Sequence, residues 1–297
     1  MRNLRQATML AGAATLLLVP LAFAQLATDA QFKCEQNVDK AGAKFVAAKS
    51  KCISKCAVNA WKAIGTFADC FPPYGGNTAL CIKDTVNGLK GAEDKFTASI
   101  RKNCDNTFKA GTECPTCYNS GDCSTSGYAT DQVANLEGQV DSFVPGVLCE
   151  TTGADPTEQK CENTTAKALV KQVSGVVKCY DTCQKNARAL LFPESQCDPP
   201  ASEPVTAACI AKVDNKAILT IDKACGPECF GGNTTFGSNT GACSNDATVQ
   251  CGCDADCGDQ SAAADCSSTD DYPTGSAWVN LVDIAISGNQ PNTYCQE

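Results

Sequence analysis

An all-α fold made of two tandem, disulfide-stapled helical hairpins with Cys-rich irregular loops is what this sequence predicts. Three observations carry that reading. Apolar residues and cysteines recur at helical spacing, the cysteine spacing repeats halfway along the chain, and 23 Cys accompany a sparse apolar core. Leu, Ile, Val and Phe together supply about one residue in six after residue 24. With a net charge of -9, such a chain would ordinarily be disordered. Abundant cysteine in an oxidising compartment reverses that expectation, because bridges restrict the unfolded chain where buried area is lacking.

The chain begins with an expected export leader, Met1 to Ala24. Arg2 and Arg5 form its basic start, Ala13 to Leu21 its apolar stretch, and Ala22-Phe-Ala24 its cleavage motif. No later stretch is apolar enough to predict a transmembrane anchor. The expected location is therefore outside the cytoplasm: secreted, periplasmic or cell-surface.

Cysteine spacing defines the repeat. Cys34, Cys52, Cys56, Cys70 and Cys81 are separated by 18, 4, 14 and 11 residues; Cys161, Cys179, Cys183, Cys197 and Cys209 by 18, 4, 14 and 12. The text agrees further on, with Ser99-Ile-Arg-Lys-Asn-Cys104 answering Thr220-Ile-Asp-Lys-Ala-Cys225. Unit one is read as 25–150 and unit two as 151–297, with a polar junction at Thr151–Pro156. Unit two carries an acidic, Cys-rich insertion, 226–265, within a stretch that has no Lys or Arg after Lys223.

Each unit opens with a helix. Cys34, Val38, Ala41, Phe45, Ala48, Cys52 and Cys56 step by three and four along one face. Phe71-Pro-Pro-Tyr-Gly-Gly76 turns the chain, and a second helix is expected over about 79–103. A third, short helix is expected through Val133, Leu136, Val140 and Phe143, stopping before Pro145. Its counterpart is Trp278–Ile286, stopped by Gly288. An antiparallel pair of helices suggests nested bridges: Cys56–Cys70, Cys52–Cys81 and Cys34–Cys104, with Cys183–Cys197, Cys179–Cys209 and Cys161–Cys225 in unit two. Helix rise gives ~27 Å from Cys161 to Cys179 and ~24 Å from Cys209 to Cys225, a fair match. From Cys81 to Cys104 it gives ~35 Å, too long, so a loop near Asn87–Gly91 must absorb about seven residues. Spacing alone leaves other connectivities open.

The chain has no histidine. Ser-His-Asp and Cys-His nucleophile pairs, the H-E-x-x-H zinc site and covalent haem attachment are thereby excluded. The acidic balance argues against nucleic acid as a partner. No catalytic residue and no cofactor is predicted. Asp254, Asp256, Asp259 and Asp265 form an acidic series that suits a weak Ca²⁺ site but departs from the EF-hand order at Gly258 and Asp259. Cys251, Cys253 and Cys257 have thiolate density suited to Zn²⁺ or Cu⁺, though an exported protein more readily uses it for disulfides. Cys114-Pro-Thr-Cys117 has redox-motif spacing without a βαβ context. Ten cysteines in unit one and thirteen in unit two leave an odd thiol in 151–297, available for an intermolecular disulfide. Tyr74, Tyr118, Tyr128 and Tyr272 are read as exposed loop aromatics able to contact a ligand.

The segment Asp39-Lys-Ala-Gly-Ala-Lys-Phe-Val-Ala-Ala-Lys-Ser-Lys-Cys-Ile-Ser-Lys-Cys56 resembles a Cys-rich helical-hairpin repeat of uncharacterised proteins exported by deltaproteobacterial-type bacteria. The resemblance implies an envelope or secreted location and brings no activity with it. The expected function is structural or binding, with an extracellular or envelope partner. The rival readings are a metal-binding protein using the insertion, and an enzyme that works without histidine.

Overall fold

The first long helix is fixed at its start by Thr28. Its hydroxyl accepts the Gln31 amide N–H at 3.1 Å, and the Gln31 side chain accepts the Thr28 N–H at 2.9 Å. This reciprocal cap satisfies two amides that the first helical turn leaves without partners. From there α1 runs Asp29–Trp61 and buries Cys34, Val38, Ala41, Phe45 and Cys52 along one stripe. The computed structural model describes residues 28–86, 90–124, 127–148, 156–189, 191–225, 241–242, 250–251 and 275–294. The expected leader, the 151–155 junction and most of the insertion lie outside the described residues.

After α1 the chain turns through a 3₁₀ segment, Phe67–Cys70, and a cis Pro72–Pro73 peptide. The expected second helix is in fact two, α2 (Gly76–Ile82) and α3 (Ala92–Cys104). The break is held by carboxylates. Asp94 accepts the N–H groups of Gly91 and Asp84 at 3.0 and 2.9 Å, while Asp84 accepts that of Val86 at 3.0 Å. A Cβ on Gly91 would lie 2.6 Å from both the Asp84 nitrogen and the Ile82 carbonyl oxygen, so the bend requires glycine. The surplus length of the Cys81–Cys104 stretch is taken up there. α3 then packs on α1, with the Phe45 and Phe96 rings stacked 5.3 Å apart.

The second helix pair has no such break. α5 (Pro156–Arg188) turns through Glu194–Cys197 and a cis Pro199–Pro200 peptide into an uninterrupted α6 (Pro204–Cys225). The two helices approach closely at Gly175, where a Cβ would lie 2.7 Å from Val213 Cγ1. Among the described residues, α1 and α5 have the same length, 33 residues.

Both short helices run further than their proline and glycine signals suggest. α4 spans Tyr128–Val147 and passes through Pro145; α7 spans Gly275–Thr293 and passes through Gly288 and Pro291. Tertiary anchoring overrides the breakers. Val147 and Leu148 bury the end of α4, and Tyr294, 2% exposed, pins the end of α7. The only strands among the described residues are β1 (Gly241–Ala242) and β2 (Gln250–Cys251), an antiparallel pair of two residues each.

The two helix pairs dock through α1 and α5. Asp29 meets Arg188 at 2.7 Å and Lys40 meets Asp181 at 3.6 Å, so the N-terminal half of α1 lies along the C-terminal half of α5, antiparallel. One apolar core gathers around Phe45, Phe96 and Ile100; a second gathers around Leu169, Val176, Ile221 and Trp278 and also takes in Val147 of α4.

Six bridges staple these helices: Cys34–Cys104, Cys52–Cys81 and Cys56–Cys70 on α1, and Cys161–Cys225, Cys179–Cys209 and Cys183–Cys197 on α5. In each set the sequence separations nest, 70, 29 and 14 residues on α1 and 64, 30 and 14 on α5. Loop-closure entropy sets the expected order of their contributions, ~4 kcal/mol for the outermost bridge and ~3 kcal/mol for the innermost. Urea unfolding of the paired Cys→Ala variants should rank Cys34/Cys104 above Cys52/Cys81 and Cys56/Cys70, which close loops of similar length while the other bridges remain. Equal losses from all three would mean that strain or residual structure, not loop length, governs them.

Candidate functional site

A metal centre built on cysteine needs free thiolates, and the described cysteines do not offer them. Cys34, Cys104 and Cys123 hold their sulfurs within 4.8 Å of one another. All three are consumed in disulfides, Cys34 with Cys104 and Cys123 with Cys114. The last bridge agrees with the missing βαβ context around the C-x-x-C spacing: Cys114 pairs with Cys123, not with Cys117. Cys117 is itself disulfide-bonded. Asp254, Asp256, Asp259, Asp265, Tyr272 and the side chains of the Cys251–Cys257 cluster lie outside the described residues. So do those of the seven cysteines of 151–297 that follow Cys225, among which the odd thiol is expected.

Between the two helix pairs lies an apolar cavity of about 120 Å³. α1 contributes Val46 and Ile53, α4 contributes Leu136, Val140 and Val144, α5 contributes Leu169 and Val173, and α7 contributes Val282 and Ile286. Its polar lining comes from Asp39, Ser50, Ser54, Gln132, Gln139 and Asn289. A hydrocarbon-lined cavity of about 150 Å³ stays dry and accepts a benzene-sized molecule. This one has that chemistry at nearly that size. Its walls come from these four helices and Phe96 of α3, far apart in sequence, so no local motif announces it.

A buried lysine locks α1 to α4 beside the cavity. Lys49 is 0% exposed, and its Nζ lies 2.7 Å from both Glu137 and Asp141. The same ammonium sits 5.1 Å from the centre of the Tyr74 ring. The Tyr74 hydroxyl donates to Asp141 in turn, and burial, then that hydrogen bond, push its ionisation far above the usual phenol range. Glu93 is also held above the ordinary carboxylate range, first by burial and then by the Glu137 charge, against the opposing pull of Lys83 at 3.2 Å. Two carboxylates and the Tyr74 ring surround the Lys49 ammonium, which does not reach solvent, so the cluster is a clasp. The sequence carries a signal for it: Lys49 stands four residues after Phe45 and three before Cys52, on the apolar stripe.

Two of the aromatics expected on the surface are core. Tyr118 and Tyr128 are 0% and 5% exposed and stack face to face with ring centres 3.7 Å apart. Burial keeps both hydroxyls protonated well beyond the usual range, with the charge of nearby Glu35 adding to it. Tyr74 is half-buried against the clasp. Cys-rich loops look exposed in sequence, yet here the Cys114–Cys123 bridge folds the loop onto α1 and carries Tyr118 inward.

A third polar group joins α5, α6 and α7. The Gln172 side chain, 1% exposed, donates through Nε2 to Asp283 at 2.9 Å, to the Val279 carbonyl at 3.1 Å and to Asp214 at 3.3 Å. Burial and then the Asp214 charge raise the Asp283 carboxyl to about 6. Burial also raises Asp214, against the hydrogen bond from Gln172.

None of the protein-family models, curated proteins or solved structures compared with this chain matches it. The site therefore has to be read from its own chemistry.

Two outcomes are expected from these clusters. Lys49→Met strips the counter-charge from two partly buried carboxylates and should cost about 3 kcal/mol in urea unfolding; a loss below about 1 kcal/mol would show that solvent carries the clasp. Asp283 binds its proton more tightly in the folded chain than in the unfolded one, so its contribution is fully present below about pH 4 and is lost as pH rises through about 6. Asp283→Asn should accordingly be more stable than the parent at pH 7.5 and equal to it near pH 4. An unchanged difference across that range would rule out Asp283 as the titrating group.

Proposed function

We propose that this chain is an exported binding protein, a tandem-duplicated, disulfide-stapled helical scaffold that holds a compact apolar ligand between its two units. The apolar cavity between α1, α4, α5 and α7 carries the reading. Its lining offers hydrocarbon and aromatic surface and few hydrogen-bond partners, which favours a ligand recognised by shape and apolar contact rather than by charge. The disulfides suit an oxidising location outside the cytoplasm, and no helix among the described residues is long and apolar enough to cross a membrane.

Duplication explains the organisation in economical terms. Two equal first helices carry bridges at matching offsets, each is followed by a Pro-Pro turn, and each pair is completed by a helix that begins well beyond its last staple. Units 25–150 and 151–297 would then diverge in loops, above all at the insertion 226–265. The likeness of residues 39–56 to exported Cys-rich helical repeats accords with such a scaffold. A binding role makes no demand on histidine, which the chain lacks.

The test is direct. Titration with benzene, toluene and n-hexanol, followed by amide chemical shifts, should give saturable shifts concentrated on α4 and α7. Ala285→Phe, which places a ring in the cavity, should weaken that binding by at least ~10-fold while keeping the fold. Saturable binding that Ala285→Phe leaves intact, or no binding by any of the three probes, would overturn the ligand reading and leave a purely structural scaffold.

A further inference from the structure

The long helices of both units carry a line of lysines at the same places. Lys33, Lys40, Lys44 and Lys51 stand 1 residue before and 6, 10 and 17 residues after Cys34; Lys160, Lys167, Lys171 and Lys178 stand at the same offsets from Cys161. Steps of 7, 4 and 7 residues bring each set back to one line along its helix, within about 20°. All eight are exposed. Gly42 lies half a turn away from the α1 line; there Leu136 of α4 approaches and the cavity opens, so the lysines face the other way. Lys185 continues the α5 line, and its Nζ shares Asp181 Oδ2 with Lys40 of α1, at 2.6 and 3.6 Å. The two lines therefore meet on one side of the α1–α5 pair.

Charge on this side is not balanced. The described acids of α1 and α5 are buried, as Glu35, Asp39, Glu162 and Asp181 are, or held by an arginine, as Asp29 is by Arg188. Apart from Lys40, none of the eight matched lysines pairs with a carboxylate among the described residues. Lys40 with Lys44 and Lys167 with Lys171 are like charges four residues apart, an arrangement that costs a helix stability. Both units carry it nevertheless. A third helix joins them: Lys212, Lys216 and Lys223 of α6 line, with Lys160, a groove of about 880 Å³ between α5 and α6, where Thr164 and Asn215 offer hydrogen bonds. On a chain of net charge -9 this is a local field of the opposite sign to the whole.

We propose that this lysine face binds a linear anionic polysaccharide, laid lengthwise along the seam between α1 and α5. Each matched set runs ~27 Å along its helix, and the two rows flank one seam, so the cations form a track rather than a point. A track matches a ligand whose carboxylate or sulfate groups recur along a chain. Neither the lines nor the α5–α6 groove includes an aromatic side chain on which a nucleic-acid base could stack, while Thr164 and Asn215 suit the hydroxyls of a sugar. Affinity comes from many lysines displacing counterions from the polyanion, with no single anchor. The proposal is independent of the cavity, which opens on the other side of α1.

The experiment uses the full oxidised chain at pH 7.5. Calorimetry with polygalacturonate or with dextran sulfate should show saturable binding that weakens from ~50 to ~200 mM NaCl, and neutral dextran should not bind. Lys44→Glu combined with Lys171→Glu should weaken that binding at least ~10-fold and lower the salt slope by about 2. Lys90→Glu combined with Lys109→Glu changes the net charge equally but lies off both lines, and should keep most of the affinity. Circular dichroism of each variant shows that the helices persist. Vesicles of phosphatidylglycerol and phosphatidylcholine test a membrane in the same format, and sedimentation velocity tests a second copy of the chain. Absence of binding to both polyanions, equal losses in the two double variants, or tighter binding to the vesicles would overturn the proposal. So would self-association that Lys44→Glu with Lys171→Glu abolishes.

Discussion

Cys34–Cys104 and Cys161–Cys225 each join the start of a 33-residue helix to the end of the helix that returns along it, and the remaining structure hangs on those closures. A long helix with one narrow apolar stripe does not hold its place by propensity alone. The inner bridges fix rotation and register, so that each following residue on the stripe meets the facing helix. Once that frame is set, small side chains such as Gly175 let α5 and α6 approach closely, and the carboxylate-lined bend before Gly91 can shorten the return path on α1 without losing register.

A frame of this kind has consequences for what fills it. With so little Leu, Ile, Val and Phe, the interior has to accommodate polar groups, and it does so in discrete clusters. Lys49 is surrounded by Glu137, Asp141 and the Tyr74 ring; Gln172 is surrounded by Asp214, Asp283 and a carbonyl. The two differ in one physical respect. The first sets a lysine between its carboxylates, whereas the second meets its carboxylates with the Gln172 amide nitrogen. That contrast separates a clasp held by charge from one held by an amide alone. The apolar cavity is the complementary case, a place where four helices meet and side-chain volume falls short.

Local pattern made parts of this readable. The stripe from Cys34 to Cys56 identifies α1, because helical period is a property of neighbouring residues. The mismatch of helix rise between Cys81 and Cys104 locates the interruption that splits α2 from α3. Breaker residues misled, since Pro145 and Gly288 lie within helices whose far ends are anchored by Val147, Leu148 and Tyr294. Tyr118 and Tyr128 misled for the same reason: a loop's exposure is decided by what it folds onto, and a bridge draws this one inward.

Sequence by itself determined that the chain is helical, that its core is poor, that cysteines stand at positions where facing helices can be stapled, and that histidine chemistry is absent. Those are matters of composition, spacing and helical period, which any short window of residues already contains. The tertiary structure alone decided that Lys49 meets Glu137 and Asp141, that Gln172 meets Asp214 and Asp283, and that a cavity opens between α1, α4, α5 and α7. Each of those depends on the rotation and offset with which separate helices dock. That docking is set by the whole set of long-range contacts at once, and no segment of the chain encodes it alone.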